Sequence, residues 1–234
     1  LIAGELAAFT RMSNGNFELQ LVNGDRYETK TLVVTSGTFL SSKMFTGLET
    51  SVGGRVGEKS ADALSKSIQE NGLRLRRLKT GTPSRIDPST VDFDEIQVQP
   101  GDENPWPMSD RHTNPIDNGN VCWITRTNLK THEILRTGFK DSPMFSGRIK
   151  GKGPRYCPSI EDKINRFGDK DGHQLFLEPE TKDVSRIYLN GFSSSLPADV
   201  QLAALRTIPG LSRAHVMQIG YAVEYDSIDA TQLY

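Results

Sequence analysis

Thr31-Leu32-Val33-Val34-Thr35-Ser36-Gly37-Thr38 carries the fold reading. Three apolar residues between threonines make a short unbroken run that ends at a Ser-Gly turn. That pattern predicts a strand buried on both faces. A buried strand stopping at glycine is what an open α/β sheet uses where a ligand approaches the backbone. Upstream the pattern is different. Ser13-Asn14-Gly15-Asn16 and Asn23-Gly24-Asp25 are tight-turn signals around the alternating Phe17-Glu18-Leu19-Gln20-Leu21, which predicts a β-meander.

Downstream, Ser60 is expected to cap a helix carrying Ala61, Leu64 and Ile68 on one face and closing at Asn71-Gly72. Leu73 to Leu78 alternates as a strand. Residues 82–120 turn rich in Pro, Asp, Asn and Gly, and the run 99–107 is too long and irregular for an ordinary connection. Helices are predicted from an Asn128 cap to Arg136, from a Ser159 cap to Phe167, and from Ser195-Leu196-Pro197 to a close at Pro209-Gly210. Strands are predicted at Gln174–Pro179, at Arg186–Leu189 and from His215 to Tyr225. The fold class is therefore α/β, with sheet at both ends and an inserted α+β module. The expected units are 1–83, 84–179 and 180–234.

Composition removes several function classes. The 234 residues carry a net charge of -1, which argues against a generic polyanion binder. No run of eighteen apolar residues exists, so no helical membrane span is expected. Cys122 and Cys157 stand 35 positions apart without CxxC or His-rich surroundings, so neither a zinc site nor a disulfide scaffold is expected. His112, His132, His173 and His215 are scattered, and no metal ligands are assigned. The opening at Leu1 and the stop at Tyr234 read as those of a piece of a longer protein.

Gly151 to Lys163, read GKGPRYCPSIEDK, is the richest chemical string. Cys157 lies two residues before the Ser159 cap, between prolines. Helix-start N–H groups and the Arg155 cation favour a thiolate there. Two readings stay open: a nucleophile or acid/base thiol, or a small buried hydrophobe, the commoner fate of a lone cysteine. Ser51-Val52-Gly53-Gly54-Arg55-Val56-Gly57-Glu58 is either a phosphate-presenting loop or a plain turn. Two cationic stretches, Arg74/Arg76/Arg77/Lys79/Arg85 and Arg148/Lys150/Lys152/Arg155, suggest polyanion contact or ordinary solvated faces.

These strings resemble the MnmG (GidA) family of FAD-dependent tRNA uridine 5-carboxymethylaminomethyl modification enzymes. The resemblance rests on Thr35–Leu40, Gly53–Gly57, Arg77–Pro83, Thr125–Asn128, Ser142–Gly147, Gly153–Lys163, Ser194–Pro197, Ile208–Leu211 and Gly220–Asp226, in family order. It implies a central fragment, with part of a Rossmann-type FAD-binding domain around the inserted module. Gly37, Thr38, Gly53, Gly54, Arg55 and Ser60 would then line the FAD site. NADH binding falls to Gly153, Pro154, Arg155, Tyr156, Ser159, Ile160, Glu161, Asp162, Lys163, Arg166 and Phe167. Cys157 matches a reactive cysteine, and Lys79, Arg85, Arg155 and Lys163 would hold tRNA.

The resemblance also implies a cytoplasmic homodimer working with the GTPase MnmE, methylenetetrahydrofolate, and glycine or ammonium, with no membrane partner. The phosphate-binding glycine motif, a first reactive cysteine and the helices that dock MnmE are expected outside this sequence, so the fragment alone is expected to be inactive. A non-catalytic RNA-binding module and a small-molecule flavin oxidoreductase are the alternative readings.

Overall fold

The computed structural model describes residues 1–112, 114, 116, 119–153 and 158–233. Strands β1 (Leu6–Arg11), β2 (Phe17–Leu21) and β3 (Arg26–Thr29) form the antiparallel meander read from the turn signals. Gly15 and Gly24 hold the two turns at φ of +86° and +94°, the left-handed region glycine enters without a Cβ clash. The hairpin β4 (Lys43–Thr46) and β5 (Glu49–Val52) follows, which the sequence reading did not anticipate. Then come α1 (Asp62–Glu70), β6 (Leu75–Thr82), β7 (Arg85–Ile86), β8 (Gln97–Gln99), β9 (Cys122–Arg126) and α2 (Leu129–Thr137). The chain continues through α3 (Ile160–Arg166), β10 (Gln174–Pro179), β11 (Ile187–Asn190), α4 (Ala198–Leu205), β12 (Val216–Gln218) and β13 (Tyr221–Ile228).

Two larger sheets are present. One runs β12-β7-β11-β10-β9-β8 and the other β5-β4-β13-β6. The fold is mixed α/β, as expected, but every strand pairing among the described residues is antiparallel. The six-stranded sheet also crosses the unit boundary expected at residue 179, because β10 pairs with β11 through Leu177–Leu189 and Pro179–Ile187.

Its core lies between that sheet and α2, α3 and α4. Leu175 and Leu177 alternate onto one face of β10, Ile187 and Leu189 onto one face of β11, and all four are fully buried. They meet Leu135, Ile164 and Leu205 from the three helices. Each such side chain contributes roughly 1.5–3 kcal/mol by leaving water. A second cluster packs Leu64 and Ile68 of α1 against Phe9 of β1 and Leu40. The Phe9 amide donates to Ser67 Oγ at 3.0 Å, which joins meander and helix by a bond as well as by packing.

Three expectations are corrected. Thr31–Thr35 forms no strand and pairs with none among the described residues. Leu32 and Val34 pack onto the α1 cluster while Val33 is 82% exposed, so one face is covered and not both. Ser60 is not the cap of α1; Ala61 holds that position with no side-chain bond. The Ser60 hydroxyl instead accepts the Ser42 amide at 2.8 Å and donates to Asp62 Oδ1.

The strand expected from His215 to Tyr225 divides at Ile219-Gly220 into β12 and β13, which belong to different sheets. Gly220 causes the break. Its amide donates to Gln201 Oε1 at 3.1 Å and to Ser84 Oγ at 3.3 Å, and its carbonyl accepts Gln201 Nε2 at 3.0 Å. The Asn128 and Ser159 caps form as read: Asn128 builds a capping box with Thr131, and Ser159 Oγ accepts the Asp162 amide.

Candidate functional site

The residues assigned to flavin converge. Thr38 Oγ1 donates to the Gly54 carbonyl at 3.0 Å, and the Gly53 amide donates to the Ser42 carbonyl at 3.1 Å. Ser60 is tied to the same Ser42 through its amide. Gly54 has to be glycine, because a Cβ there would sit 2.6 Å from the Phe39 ring and 2.8 Å from the Thr38 carbonyl. Gly53 stands at φ +147° and its N–H is spent inward, so the Gly53-Gly54 turn is a packing joint and presents no ring of free amides there.

The exposed Gly37 turn, at φ +55°, is the open part of this wall. The Gly37 and Thr38 amides find no acceptor among the described residues, and the nearest neighbour of a Gly37 Cβ would be the Phe39 ring at 3.8 Å. A ligand can therefore approach the backbone there and accept two N–H bonds. Arg55 reaches Glu58 at 3.5 Å and is largely exposed.

Residues 150–153 lead into the Cys157 string along the four-stranded sheet. Leu78 and Lys152 form a parallel bridge, and the Lys79 amide donates to the Lys152 carbonyl at 3.1 Å. Glu224 of β13 fastens the segment, its Oε1 accepting the Lys150 and Gly151 amides, each at 2.7 Å. Its Oε2 takes Arg77 at 3.0 Å, and Arg77 also reaches Asp226 at 2.9 Å and the Ser41 carbonyl at 2.8 Å. Burial pushes the Glu224 carboxyl up, but the Gly151 amide, Arg77 and the Lys150 amide together hold it below the ordinary glutamate value. Arg77 answers: burial works against its charge, yet Asp226 and Glu224 raise its pKa.

Sequence reading missed this clamp. The signal was the alternation in Glu224-Tyr225-Asp226, which places two carboxylates on one face of β13 opposite Arg77.

Cys157, with Pro154, Arg155 and Tyr156, lies outside the described residues. Beyond it, α3 is held to the loop before α4. The Ile160 amide donates to the Ser193 carbonyl at 2.7 Å, and Glu161 Oε1 accepts the Ser195 amide and hydroxyl, both at 2.9 Å. Glu161 is fully buried, and among the described residues its Oε2 has no partner. Lys163 donates to the Gly191 carbonyl at 3.2 Å, and burial lowers its pKa. Arg166 pairs with Asp162 at 3.3 Å, while Phe167 is half exposed. Gly153 is exposed and Ile160 packs in the core.

Of the cations assigned to tRNA, Lys79 is 5% exposed on β6. Arg85 is held by Glu180, the Thr82 hydroxyl and the Pro83 carbonyl, and lies 4.4 Å over the Tyr188 ring. Neither is offered to solvent in this state. Arg77 and Arg148 are likewise taken by internal partners, Arg148 by the Gly47 and Leu48 carbonyls. Arg74, Arg76, Lys150 and Lys152 remain exposed.

Cys122 is not an activated thiol, since burial and then Glu178 raise its pKa. His132 and His173 stack with ring centres 5.3 Å apart, a pairing invisible in their spacing. No group of three or more His, Cys, Asp or Glu suited to a metal ion occurs among the described residues. No helix among them is long and apolar enough to cross a membrane.

The family model described as "Glucose inhibited division protein A" matches residues 5–234. The tRNA uridine 5-carboxymethylaminomethyl modification enzyme MnmG of Nitratiruptor sp. is 51% identical over 209 residues, covering 88% of this chain and 33% of that protein. The protein of that name from Zymomonas mobilis subsp. mobilis is 47% identical over 234 residues, covering 100% of this chain and 38% of its own length. The form I crystal structure of Aquifex aeolicus GidA matches with a TM-score of 0.88 at 42% identity, covering 99% of this chain and 40% of that one. The chain thus spans between a third and two-fifths of these relatives. Matched from residue 5 to its last residue and alike in fold to a GidA structure, the chain belongs to the glucose-inhibited division protein A (GidA, MnmG) family.

Proposed function

We propose that this chain is the central part of a flavin-dependent enzyme that modifies the wobble uridine of tRNA. The observation that carries the reading is the joint of Gly37-Thr38 with Gly53-Gly54, braced through Ser42 by Ser60, which leaves two amides open at an exposed backbone turn. Family membership supports the class of chemistry. FAD would lie against Gly37, Thr38 and the Gly53–Arg55 turn, with Ser60 bracing the wall from behind. Bound there, it would supply two-electron redox chemistry. The residues of this chain bind and orient: the Gly37 and Thr38 amides donate, and Phe39 and Gly54 set the shape of the turn.

NADH is assigned to the string from Gly153 through Phe167. Within it, the Glu161–Ser195 bonds fix the start of α3 and Glu224 fixes the segment before Gly153. Cys157 is assigned to the uracil ring, as nucleophile or proton donor. Arg155 and Lys163 keep their tRNA assignment, while Lys79 and Arg85 keep theirs only with a rearrangement that frees them. The Rossmann-type reading of 1–83 with 180–234, the inserted module 84–179, homodimerisation, MnmE, methylenetetrahydrofolate, glycine or ammonium, and a cytoplasmic location belong to the same proposal for the whole protein.

The test is Cys157→Ser in the complete protein, read by wobble-uridine modification and by bound flavin. The expected outcome is unchanged FAD content with modification down at least about 100-fold, the scale of removing an acid/base or nucleophilic group. Intact modification would remove the catalytic assignment.

A further inference from the structure

Between the β4–β5 hairpin and the β12–β13 break lies a cleft of about 340 Å³ lined by Met44, Val56, Ile219 and Tyr221. It adjoins a second cavity of about 280 Å³, where Arg55, Arg85 and Arg186 gather around Glu180. Val56, Gln218 and Tyr221 line both, so the two are halves of one groove. The halves differ in chemistry. The first sets apolar Met44, Val56 and Ile219 and the Tyr221 ring beside polar lining that includes Glu49, Thr50 and Ser51. The second holds three guanidinium groups and Glu180, and with Glu58 paired to Arg55 a local excess of one positive charge remains inside a chain of net charge -1.

The cations are only partly spent. Glu180 takes Arg85 at 2.9 Å and Arg186 at 3.7 Å, while Arg55 leans outward to Glu58 at 3.5 Å. Arg186 is half exposed and Arg55 more so, which leaves N–H groups on both free to turn toward an anion. Tyr221 Oη accepts the Val56 amide at 3.3 Å, and its own proton remains available to a ligand.

We infer that this groove binds a nucleoside monophosphate unit, with the flat base in the Met44/Val56/Ile219/Tyr221 slot and the phosphate between Arg55 and Arg186. Planar guanidinium groups match phosphate oxygens in pairs, and the apolar side chains of the slot accept the ring face that a base presents to any stacking surface. The groove shares Arg55 with the turn assigned to flavin, while Val56, Arg186 and Tyr221 belong to the groove alone. Such a unit has two sources, a free nucleotide or one residue of an RNA strand.

The probe is uridine 5′-monophosphate, titrated calorimetrically against the complete protein. Arg186→Ala and Val56→Asp are each expected to weaken binding about tenfold, the scale of removing one charge-assisted hydrogen bond or adding one repulsion. Both positions are exposed enough for the fold to survive. Arg26→Ala, on the meander, is expected to bind as the parent does. Parent-like affinity in both Arg186→Ala and Val56→Asp overturns the site. Inorganic phosphate binding as tightly as the nucleotide overturns its ring half. Where the site holds, displacement of the nucleotide by a uridine-containing RNA oligomer assigns it to a strand, and failure to displace assigns it to a free nucleotide. Bound flavin measured on the same variants keeps a failure of this site apart from a failure of the flavin reading.

Discussion

Glu224→Ala removes the acceptor that holds residues 150 and 151 against the sheet. Two amide bonds of 2.7 Å and the 3.0 Å bond from Arg77 disappear together. Hydrogen bonds to a charged group contribute about 1.5–3 kcal/mol each, and deleting one side of a buried pair costs about 3–5 kcal/mol. The lower end applies here. Arg77 keeps Asp226 and the Ser41 carbonyl, and Lys150 is an exposed residue. The expected loss is about 3 kcal/mol in urea unfolding of the complete protein. Amide exchange should accelerate at Lys150, Gly151 and also Lys79, whose N–H is bonded to Lys152 in the same segment.

The pH dependence follows from the depressed carboxyl. The folded pKa of Glu224 lies below the ordinary value of 4.5, so its contribution is complete above that value and fades as pH falls through the folded pKa. The gap between parent and Glu224→Ala should therefore be constant near neutrality and narrow only under acid. A variant within about 1 kcal/mol of the parent, the level of a surface substitution, with Gly151 exchange unchanged, would refute the clamp.

Two further outcomes are expected. Gly220→Ala should destabilise by about 2 kcal/mol or more, as overpacking does, because its Cβ would stand 2.9 Å from both Gln201 Oε1 and the Thr82 carbonyl while Gln201 and Ser84 hold the backbone in place; denaturant unfolding checks this, and a neutral variant would show that the β12–β13 break is soft. The His132–His173 pair should make stability fall below about pH 6.5. Burial lowers both pKa values, helped at His132 by Arg136 against Asp171, and at His173 by His132, Lys163, Arg126 and Lys170. The unfolded chain then takes up protons that the folded one refuses, at up to about 1.4 kcal/mol per pH unit for each ring, and the double change to Asn should flatten that slope.

The features that reading the sequence recovered and those it missed divide by the distance over which the deciding bond acts. Asn128 and Ser159 were legible as caps because each cap bond closes within three residues. Ser60 has the same side chain and sits before the same kind of helix, yet its hydroxyl is claimed by Ser42 from 18 positions away. His215 to Tyr225 reads as one strand candidate, and nothing local shows that Gln201 and Ser84 grip Gly220 from 19 and 136 positions away. Thr31–Thr35 reads as a buried strand from composition, but burial is decided by what lies on each side, and Val33 faces solvent.

The same rule separates the candidate sites. The Cys157 string is contiguous, so its chemistry stands in one line of text. The cationic stretches are contiguous too, and that misled: the partners of Arg77 lie 147 and 149 positions away on β13, and that of Arg85 lies 95 positions away. Those distant carboxylates turn cations expected for RNA into internal bonds. Glu180 is the exception that carries function, since one carboxylate among Arg55, Arg85 and Arg186 leaves positive charge over. Removing it should therefore strengthen anion binding in the groove even as it loosens Arg85, a pair of opposite effects that a purely structural ion pair does not produce. Glu180→Gln titrated with uridine 5′-monophosphate reads the first effect, and urea unfolding reads the second. Weaker binding in that variant would mean that Glu180 orders the arginines for the ligand and does not compete with it.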